Sequence, residues 1–153
     1  MSSASRRVPL DRVDELLARE AIRDLVARYN AGADGGRFDE VVDLFASDAV
    51  MELPAERLFG REEIAALFRR IQRVVVGSGA PGRGQHIRHF TTTLQIDLEA
   101  ADRARSRCYY QVLMAHGLDH WGHYIDSYRR VDGKWRFAHR KVTVDGRADG
   151  SAL

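Results

Sequence analysis

The chain has 153 residues, a length that suits one domain with a single hydrophobic core. Hydrophobic residues make up 44% and charged residues 30%, as in ordinary globular proteins, and no run approaches the ~18 consecutive apolar residues of a membrane helix. The 24 basic and 22 acidic residues are interspersed, so the formal charge of +2 argues against nucleic-acid binding.

The N-terminal residues carry charge without a following apolar run, which argues against a secretory signal. A single cysteine, Cys108, allows neither an internal disulfide nor a CxxC metal or redox site. We therefore expect a cytoplasmic protein in which Cys108 packs within a strand.

The first half of the sequence predicts three helices. Glycines end the first helix near residue 30, Asp34 lies at the junction, and a short helix begins at Phe38. A short strand over 49–53 is ended by Pro54, and a third helix begins at Gly60. The first helix, over about residues 11–30, is predicted by apolar residues at successive i, i+4 positions: Val13, Leu17, Ala21, Leu25 and Tyr29.

From His86 onward the hydrophobic period changes to two, which is typical of strands. We predict strands over 86–98, 103–115, 120–131 and 134–144, joined as an antiparallel meander. The strongest turn signal is Asp132-Gly133, because a type I′ turn needs positive φ at both central residues. In the second strand the even-numbered residues are mostly apolar, so Tyr110 and Met114 are predicted to face a pocket.

Helices followed by a long antiparallel sheet indicate an α+β fold, with helices covering one face of a strongly curved sheet that can hold a pocket. No repeat or linker indicates a second domain. We expect one domain over 1–153, with flexible tails at 1–9 and 147–153.

Several segments spread over nearly the whole chain carry a family resemblance. They are AIRDLVARY at 21–29 with Asp34 after it, LFASDAV at 44–50, GREEI at 60–64, RHFTT at 88–92, GHYID at 122–126 and DGKWRFAHR at 132–140. Together they resemble the SnoaL-like branch of the NTF2-like superfamily, which includes dehydratases, dehydrochlorinases, polyketide cyclases and ketosteroid isomerases. The resemblance implies an NTF2-like cone, with three N-terminal helices on a curved antiparallel sheet enclosing a pocket.

The resemblance also implies site residues. Members similar to scytalone dehydratase, bile-acid 7α-dehydratase and hexachlorocyclohexane dehydrochlorinase place an Asp at the end of the first helix and a His early in the first long strand, positions that match Asp34 and His89. An Arg after the Trp-x-Phe element matches Arg140, and a Tyr shortly before the Asp matches Tyr29. Residues expected to line the substrate pocket are Met51, Phe68, Tyr110, Met114, Trp121 and Tyr124.

These side chains suit proton transfer. A neutral imidazole is a good base near pH 7, which makes His89 the candidate base. Asp34 would fix its tautomer and stabilise the imidazolium, and Arg140 would stabilise developing negative charge. Tyr29 could donate a hydrogen bond. The predicted activity is a cofactor-independent lyase, a dehydratase or HX-eliminating enzyme, acting on a small hydrophobic ring such as a steroid, polyketide or halogenated compound.

Two other functions remain open. One is an isomerase or aldol cyclase in which Asp34 itself abstracts a proton next to a carbonyl. The other is a non-catalytic protein that binds a small hydrophobe or assembles a complex. No metal or cofactor is required, no nucleic-acid or membrane partner is expected, and the family resemblance implies a homo-oligomer, a dimer or trimer.

The strand parities set a condition on the site. His89 has the opposite parity to Leu94, Ile96 and Leu98, so it turns inward only if a bulge intervenes. Arg140 needs a bulge near Ala138, and is otherwise an outward charge.

Other residues have structural alternatives. Asp34 could be a turn or cap residue, and Tyr29 could simply pack in the core. The histidines at 116, 120 and 123 could suggest a metal site, but loop residues at a substrate mouth explain them as well.

Overall fold

The structure is a computed structural model, and it describes residues 11–77 and 87–151. His86, predicted to begin the first long strand, lies outside these residues. Within them are three helices and seven strands. The helices are α1 (Arg12–Asp34), α2 (Phe38–Asp43) and α3 (Gly60–Gly77); the strands are β1 (Phe45–Glu52), β2 (Arg57–Phe59), β3 (Arg88–Ala100), β4 (Arg103–Met114), β5 (Gly117–Val131), β6 (Lys134–Val142) and β7 (Gly146–Arg147).

The predicted α+β class and the antiparallel meander of β3 to β6 are confirmed. The strand order is β2-β1-β6-β5-β4-β3, with β7 paired to β5. The family resemblance implied an antiparallel sheet, and the sheet is in fact mixed, because β1 pairs with β6 in parallel. A parallel pair needs a long crossover connection, and α3 with the meander supplies it. The result is a curled, mixed sheet with the helices packed on it.

Helix α1 extends beyond residue 30, where its glycines were predicted to end it, and reaches Asp34. Gly32 lies inside the helix, where a Cβ would stand 2.7 Å from Cγ2 of Val41. The glycine therefore lets α2 pack closely against α1, and the uninterrupted helix carries Asp34 on its last turn.

The core lies between the helices and the inner face of the sheet. Ile22, Val26 and Tyr29 of α1 are buried against sheet residues that include Phe45 and Phe137. The Tyr29 ring meets the Phe137 ring edge to face, with centroids 5.7 Å apart. Tyr29 thus packs in the core, which was the structural alternative given for this residue.

Three of the register shifts in the sheet change which residues near the site turn inward. In β3 the shift falls between Thr92 and Gln95, where Thr93 has φ 55°. In β6 the partners of Ser127 and Tyr128 are His139 and Phe137, so Ala138 is the extra residue. The third shift, in β5, makes Asp119 the extra residue between Leu118 and His120, which pair with Leu113 and Val112 of β4. The first two are the bulges that His89 and Arg140 require.

The turn between β5 and β6 is confirmed, since Asp132 and Gly133 both have positive φ, 49° and 76°. After β6 the chain returns to β5 through β7, and the Ala148 N–H donates to the Asp119 carbonyl at 2.8 Å. No helix among the described residues is long and apolar enough to cross a membrane.

Candidate functional site

Asp34 and His89 are in direct contact although they lie 55 positions apart in the sequence. Oδ1 of Asp34 lies 2.6 Å from Nδ1 of His89, and Oδ2 accepts the His89 backbone N–H at 2.9 Å. Their side chains are 12% and 18% exposed. One carboxylate therefore fixes both the ring and the backbone of His89.

This contact depends on where α1 ends and how β3 begins. Asp34 is the last residue of α1, and Gly35 caps the helix with its N–H bonded to the Ala31 carbonyl. His89 is the second residue of β3 and pairs with the buried Val112 of β4, so it lies on the inner face. The bulge at Thr93 allows His89 to share that face with Ile96.

The geometry favours one tautomer of His89. A carboxylate 2.6 Å from Nδ1 holds the proton on that nitrogen, which leaves Nε2 of the neutral ring as a lone-pair acceptor. Nε2 has no polar partner among the described residues. The arrangement can thus take a proton at Nε2 while Asp34 stabilises the imidazolium that forms.

Two stacked tyrosines form a wall beside His89. The ring centroids of Tyr110 and Tyr124 are 4.5 Å apart, and Tyr110 lies 6.4 Å from the His89 ring. Burial raises the pKa of Tyr110 to about 12, and its hydroxyl donates to the Thr143 carbonyl at 2.7 Å. Met114 packs against the same cluster. Tyr110, Tyr124 and Met114 therefore belong to one cluster, and Tyr110 brings this cluster next to His89.

Arg140 is completely buried, so the alternative that it points outward is wrong. It donates from Nε and Nη2 to the two carboxylate oxygens of Asp126, at 2.9 and 2.8 Å. Its guanidinium lies 3.9 Å from the centroid of the Tyr29 ring and 4.2 Å from that of the Tyr124 ring. Burial opposes the charge, but Asp126 overcomes it and the pKa of Arg140 is well above its usual value. The side chain is a permanent cation.

One guanidinium nitrogen of Arg140 has no hydrogen-bond partner among the described residues. This nitrogen, Nη1, is buried. An unsatisfied buried donor is costly, and such atoms commonly mark a place where a ligand or water binds. Nη1 is therefore the atom through which Arg140 could meet a substrate oxygen.

The predicted catalytic residues form two pairs. Asp34 contacts His89, and Tyr29 packs on Arg140. Tyr110 and Tyr124 connect the pairs, since Tyr110 lies beside His89 and Tyr124 lies over the guanidinium. Burial is the largest effect on the pKa of Tyr29 and raises it, so the Tyr29 hydroxyl stays protonated.

The other predicted pocket residues lie in different places. Met51 and Phe68 are buried in the main core cluster, which is distinct from the cluster of Tyr110 and Tyr124. The placement of Trp121 in the pocket wall is wrong. Trp121 is 38% exposed and packs on Gly146, because its odd position in β5 directs it to the outer face.

Two buried carboxylates, those of Asp126 and Asp119, were not predicted from the sequence. Asp126 is the buried partner of Arg140, and its even position in β5, in phase with Tyr124, was a signal for an inward carboxylate. Asp119 is buried as well and contacts His116 and His120, at 3.1 and 2.6 Å. Because Asp119 sits in a bulge, no regular pattern could have predicted its burial.

The described residues contain no group of three or more His, Cys, Asp or Glu side chains that could hold a metal ion. The histidines at 116, 120 and 123 instead each contact an aspartate, Asp119 for the first two and Asp145 for the third.

A groove of about 800 Å³ lies elsewhere on the molecule, between α1 and the start of β6, where its lining includes Leu17, Arg28 and Trp135. None of the residues that line it belongs to the two pairs described above.

Comparison with known proteins identifies the family. The sequence model of the SnoaL-like domain matches residues 14–141, so the chain belongs to the SnoaL-like domain family. No curated protein sequence matches the chain significantly.

Solved structures share the fold. A proposed scytalone dehydratase from Novosphingobium aromaticivorans DSM 12444 is 20% identical, with 92% of each chain covered and a TM-score of 0.76. Hexachlorocyclohexane dehydrochlorinase LinA-type3 from Novosphingobium barchaimii LL02 is 19% identical, covering 94% of this chain and 97% of its own, with a TM-score of 0.75. An NTF2-like protein with a cystatin-like fold from Novosphingobium aromaticivorans is 28% identical, covering 92% and 88%, with a TM-score of 0.74.

Proposed function

We propose that this protein is a cofactor-independent lyase that eliminates water or HX from a hydrophobic ring, with His89 as the base and Asp34 as the residue that orients it. The observation that carries the proposal is the double contact of one Asp34 carboxylate with the ring and backbone N–H of His89. A single carboxylate bonded in this way fixes a catalytic geometry before the substrate arrives.

In the proposed step, Nε2 of His89 removes a proton from carbon next to a carbonyl or on the ring. The electrons of the C–H bond form the double bond, and the leaving group departs with its bonding pair. Asp34 stabilises the imidazolium through Nδ1–H. A general base typically contributes ~10²–10⁴ in rate, so the remaining acceleration comes from orientation and electrostatics.

Arg140 and Tyr29 supply the electrostatic part of the proposal. Nη1 of Arg140 would donate to a substrate oxygen on which negative charge develops, in a site where burial strengthens the interaction. Tyr29 holds the guanidinium by ring contact and, with a raised pKa, remains a candidate donor to the substrate.

The alternative in which Asp34 is itself the base has less support. Both oxygens of its carboxylate are occupied by His89, one by the ring and one by the backbone N–H. Product analysis separates the reactions: elimination lowers the mass of the ring product, whereas isomerisation or cyclisation leaves it unchanged.

The test uses 3-hydroxy-1-tetralone, a two-ring β-hydroxyketone whose dehydration gives the fluorescent 1-naphthol. His89→Asn keeps a polar group where Nδ1 meets Asp34 but removes Nε2. We expect the protein to form 1-naphthol and the variant to lose about 10²–10⁴ in rate. Equal rates of the two proteins would defeat the proposal.

The matched control is His123→Asn. His123 also places Nδ1 against a carboxylate, that of Asp145 at 2.9 Å, but its odd position in β5 puts it on the outer face. This variant should keep the full rate, which separates loss of a catalytic nitrogen from loss of any histidine–aspartate contact.

We also propose a second copy of this chain as the partner of the outer face of the sheet. Exposed apolar side chains on neighbouring strands form a patch there: Phe90, Tyr109, Trp121 and Ile125, which are 51%, 51%, 38% and 40% exposed. Sedimentation should show a dimer or trimer, and Tyr109→Glu should reduce it to a monomer. A monomeric wild-type protein would contradict this assignment.

A further inference from the structure

A second histidine lies on the same face of the sheet as His89. His89 of β3 pairs with Val112 of β4, and Val112 pairs with His120 of β5. Directly paired residues project to the same side of the sheet. Two strand spacings put the Cα atoms of the two histidines about 10 Å apart. Val112 is fully buried and the His120 side chain is 12% exposed. The two imidazoles therefore flank Val112 on the inner face.

The two histidines also share one aromatic neighbour. The Tyr110 ring centroid lies 6.4 Å from the His89 ring and 5.9 Å from the His120 ring. Tyr110 is held in place by its stack with Tyr124 and by its hydrogen bond to Thr143. A flat ring bound against Tyr110 would thus have one imidazole on either side.

His120 is held in the same manner as His89. Its Nδ1 lies 2.6 Å from Oδ2 of Asp119, the same distance as in the His89 pair. A carboxylate at Nδ1 leaves Nε2 to act on a ligand, and Nε2 of His120 has no polar partner among residues 11–77 and 87–151. The register shift in β5 brings Asp119 beside His120.

Asp119 is itself fixed from several sides. It is fully buried, its Oδ1 lies 3.1 Å from Nε2 of His116, and its Oδ2 accepts from the Ser151 hydroxyl at 2.9 Å. Its backbone carbonyl accepts the Ala148 N–H. A buried carboxylate held this firmly orients an imidazole without reorganisation.

We infer that His120 is a second catalytic residue, the general acid that protonates the leaving oxygen; this rests on the proposed function of His89. As Nε2 of His89 takes the carbon-bound proton, the C–H electrons form C=C and the C–O bond breaks with its pair on oxygen. That oxygen takes the proton from Nε2 of an imidazolium His120 and leaves as water. His89 then gives its proton to solvent and His120 regains one.

The competing explanation is that His120 only neutralises Asp119 and joins β5 to the C-terminal segment. His120→Asn separates the two, because its amide keeps a donor next to Asp119 and removes only Nε2. The matched control is His123→Asn, which alters a histidine–aspartate contact with Asp145 that does not touch Asp119. A purely structural role of His120 predicts a loss of stability without a dependence of the rate on the leaving group.

The first measurement is histidine side-chain ¹⁵N NMR of the whole protein titrated with 3-hydroxy-1-tetralone. Both His89 and His120 Nε2 resonances should shift with one apparent Kd, and that of His123 should not. A response at His89 without one at His120 overturns the inference and leaves the proposed function standing. No response at His89 counts against both.

The second measurement compares leaving groups. Hydroxide needs a proton to depart, whereas acetate does not, and the 3-hydroxy and 3-acetoxy tetralones give the same 1-naphthol. His120→Asn should slow the hydroxyl substrate about 10²–10³-fold and the acetoxy substrate less than about threefold. His89→Asn should slow both, and His123→Asn neither. Equal losses on the two substrates in His120→Asn would assign His120 a structural role instead.

Discussion

His89 and Ile96 lie on the same face of β3 although their sequence positions differ by an odd number, seven. In a regular strand their side chains would point to opposite faces. The extra residue between Thr92 and Gln95 restores the phase, and Thr93 takes a left-handed φ of 55°. The position of the proposed base is thus set by one inserted residue, a common device next to active sites.

Deleting Thr93 should therefore remove the activity while leaving most of the fold intact. The deletion would return residues 88–92 to the regular phase and turn His89 outward. We expect loss of 1-naphthol formation by more than about 10²-fold. We also expect loss of the Nδ1 proton resonance that the bond to Asp34 shifts downfield.

The control is Thr93→Gly, which keeps the bulge. Glycine adopts positive φ without the penalty that a β-branched residue incurs, so the variant should be equally active and more stable by about 1 kcal/mol in urea unfolding. Full activity of the deletion variant would show that the bulge does not determine the direction of His89.

Replacing Asp34 with Asn should slow turnover severely without unfolding the protein. The amide has one acceptor oxygen and cannot hold both the ring Nδ1–H and the backbone N–H of His89, nor stabilise an imidazolium. We expect kcat to fall about 10²–10⁴-fold, as measured with 3-hydroxy-1-tetralone. Asp24→Asn, at a surface pair with Arg28, is the matched control and should keep normal kcat. Similar kcat values in the two variants would remove Asp34 from the mechanism.

Family resemblance and hydrophobic periodicity could predict much of this arrangement. Asp34, His89 and Arg140 are predicted as site residues by the family resemblance, because their positions match a helix end and two strands of similar proteins; periodicity alone favours structural roles for Asp34 and His89. The alternation of inward and outward residues in the strands also predicted that His89 and Arg140 each need a bulge to turn inward. The bulge in β5, by contrast, left no such signal, because Asp119 is buried by a local insertion and not by alternation. The parallel pairing of β1 with β6 depends on distant contacts that local sequence does not encode.

The buried pair of Arg140 and Asp126 should respond very differently to single and double substitution. Asp126→Leu leaves an uncompensated cation in the core, and we expect it to lower the free energy of unfolding by about 3–5 kcal/mol. Arg140→Met should have a similar effect by stranding the carboxylate. The double variant should recover most of this loss, because apolar groups of similar volume replace both charges.

Urea unfolding of the three variants forms a double-mutant cycle that checks this result. If Arg140 also binds substrate oxygen, the double variant should be stable yet inactive on 3-hydroxy-1-tetralone. A stable and fully active double variant would confine Arg140 to a structural role.

The buried tyrosines should make the protein lose stability at high pH. Burial is the largest cause that raises the pKa of Tyr29, Tyr110, Tyr124 and Tyr128 in the folded state. In the unfolded chain these hydroxyls ionise near their ordinary pKa of about 10. Between that value and the higher folded pKa, the unfolded state has lost protons that the folded state keeps, so its free energy falls relative to the folded state. The free energy of unfolding in urea should therefore decrease steadily above pH ~10.

The folded protein should meanwhile show little of the phenolate absorbance that full ionisation of its five tyrosines would give. Tyr110→Phe should weaken the pH dependence, because one ionisable hydroxyl is removed. A stability curve that stays level up to pH ~12 would show that these hydroxyls are not protected by burial.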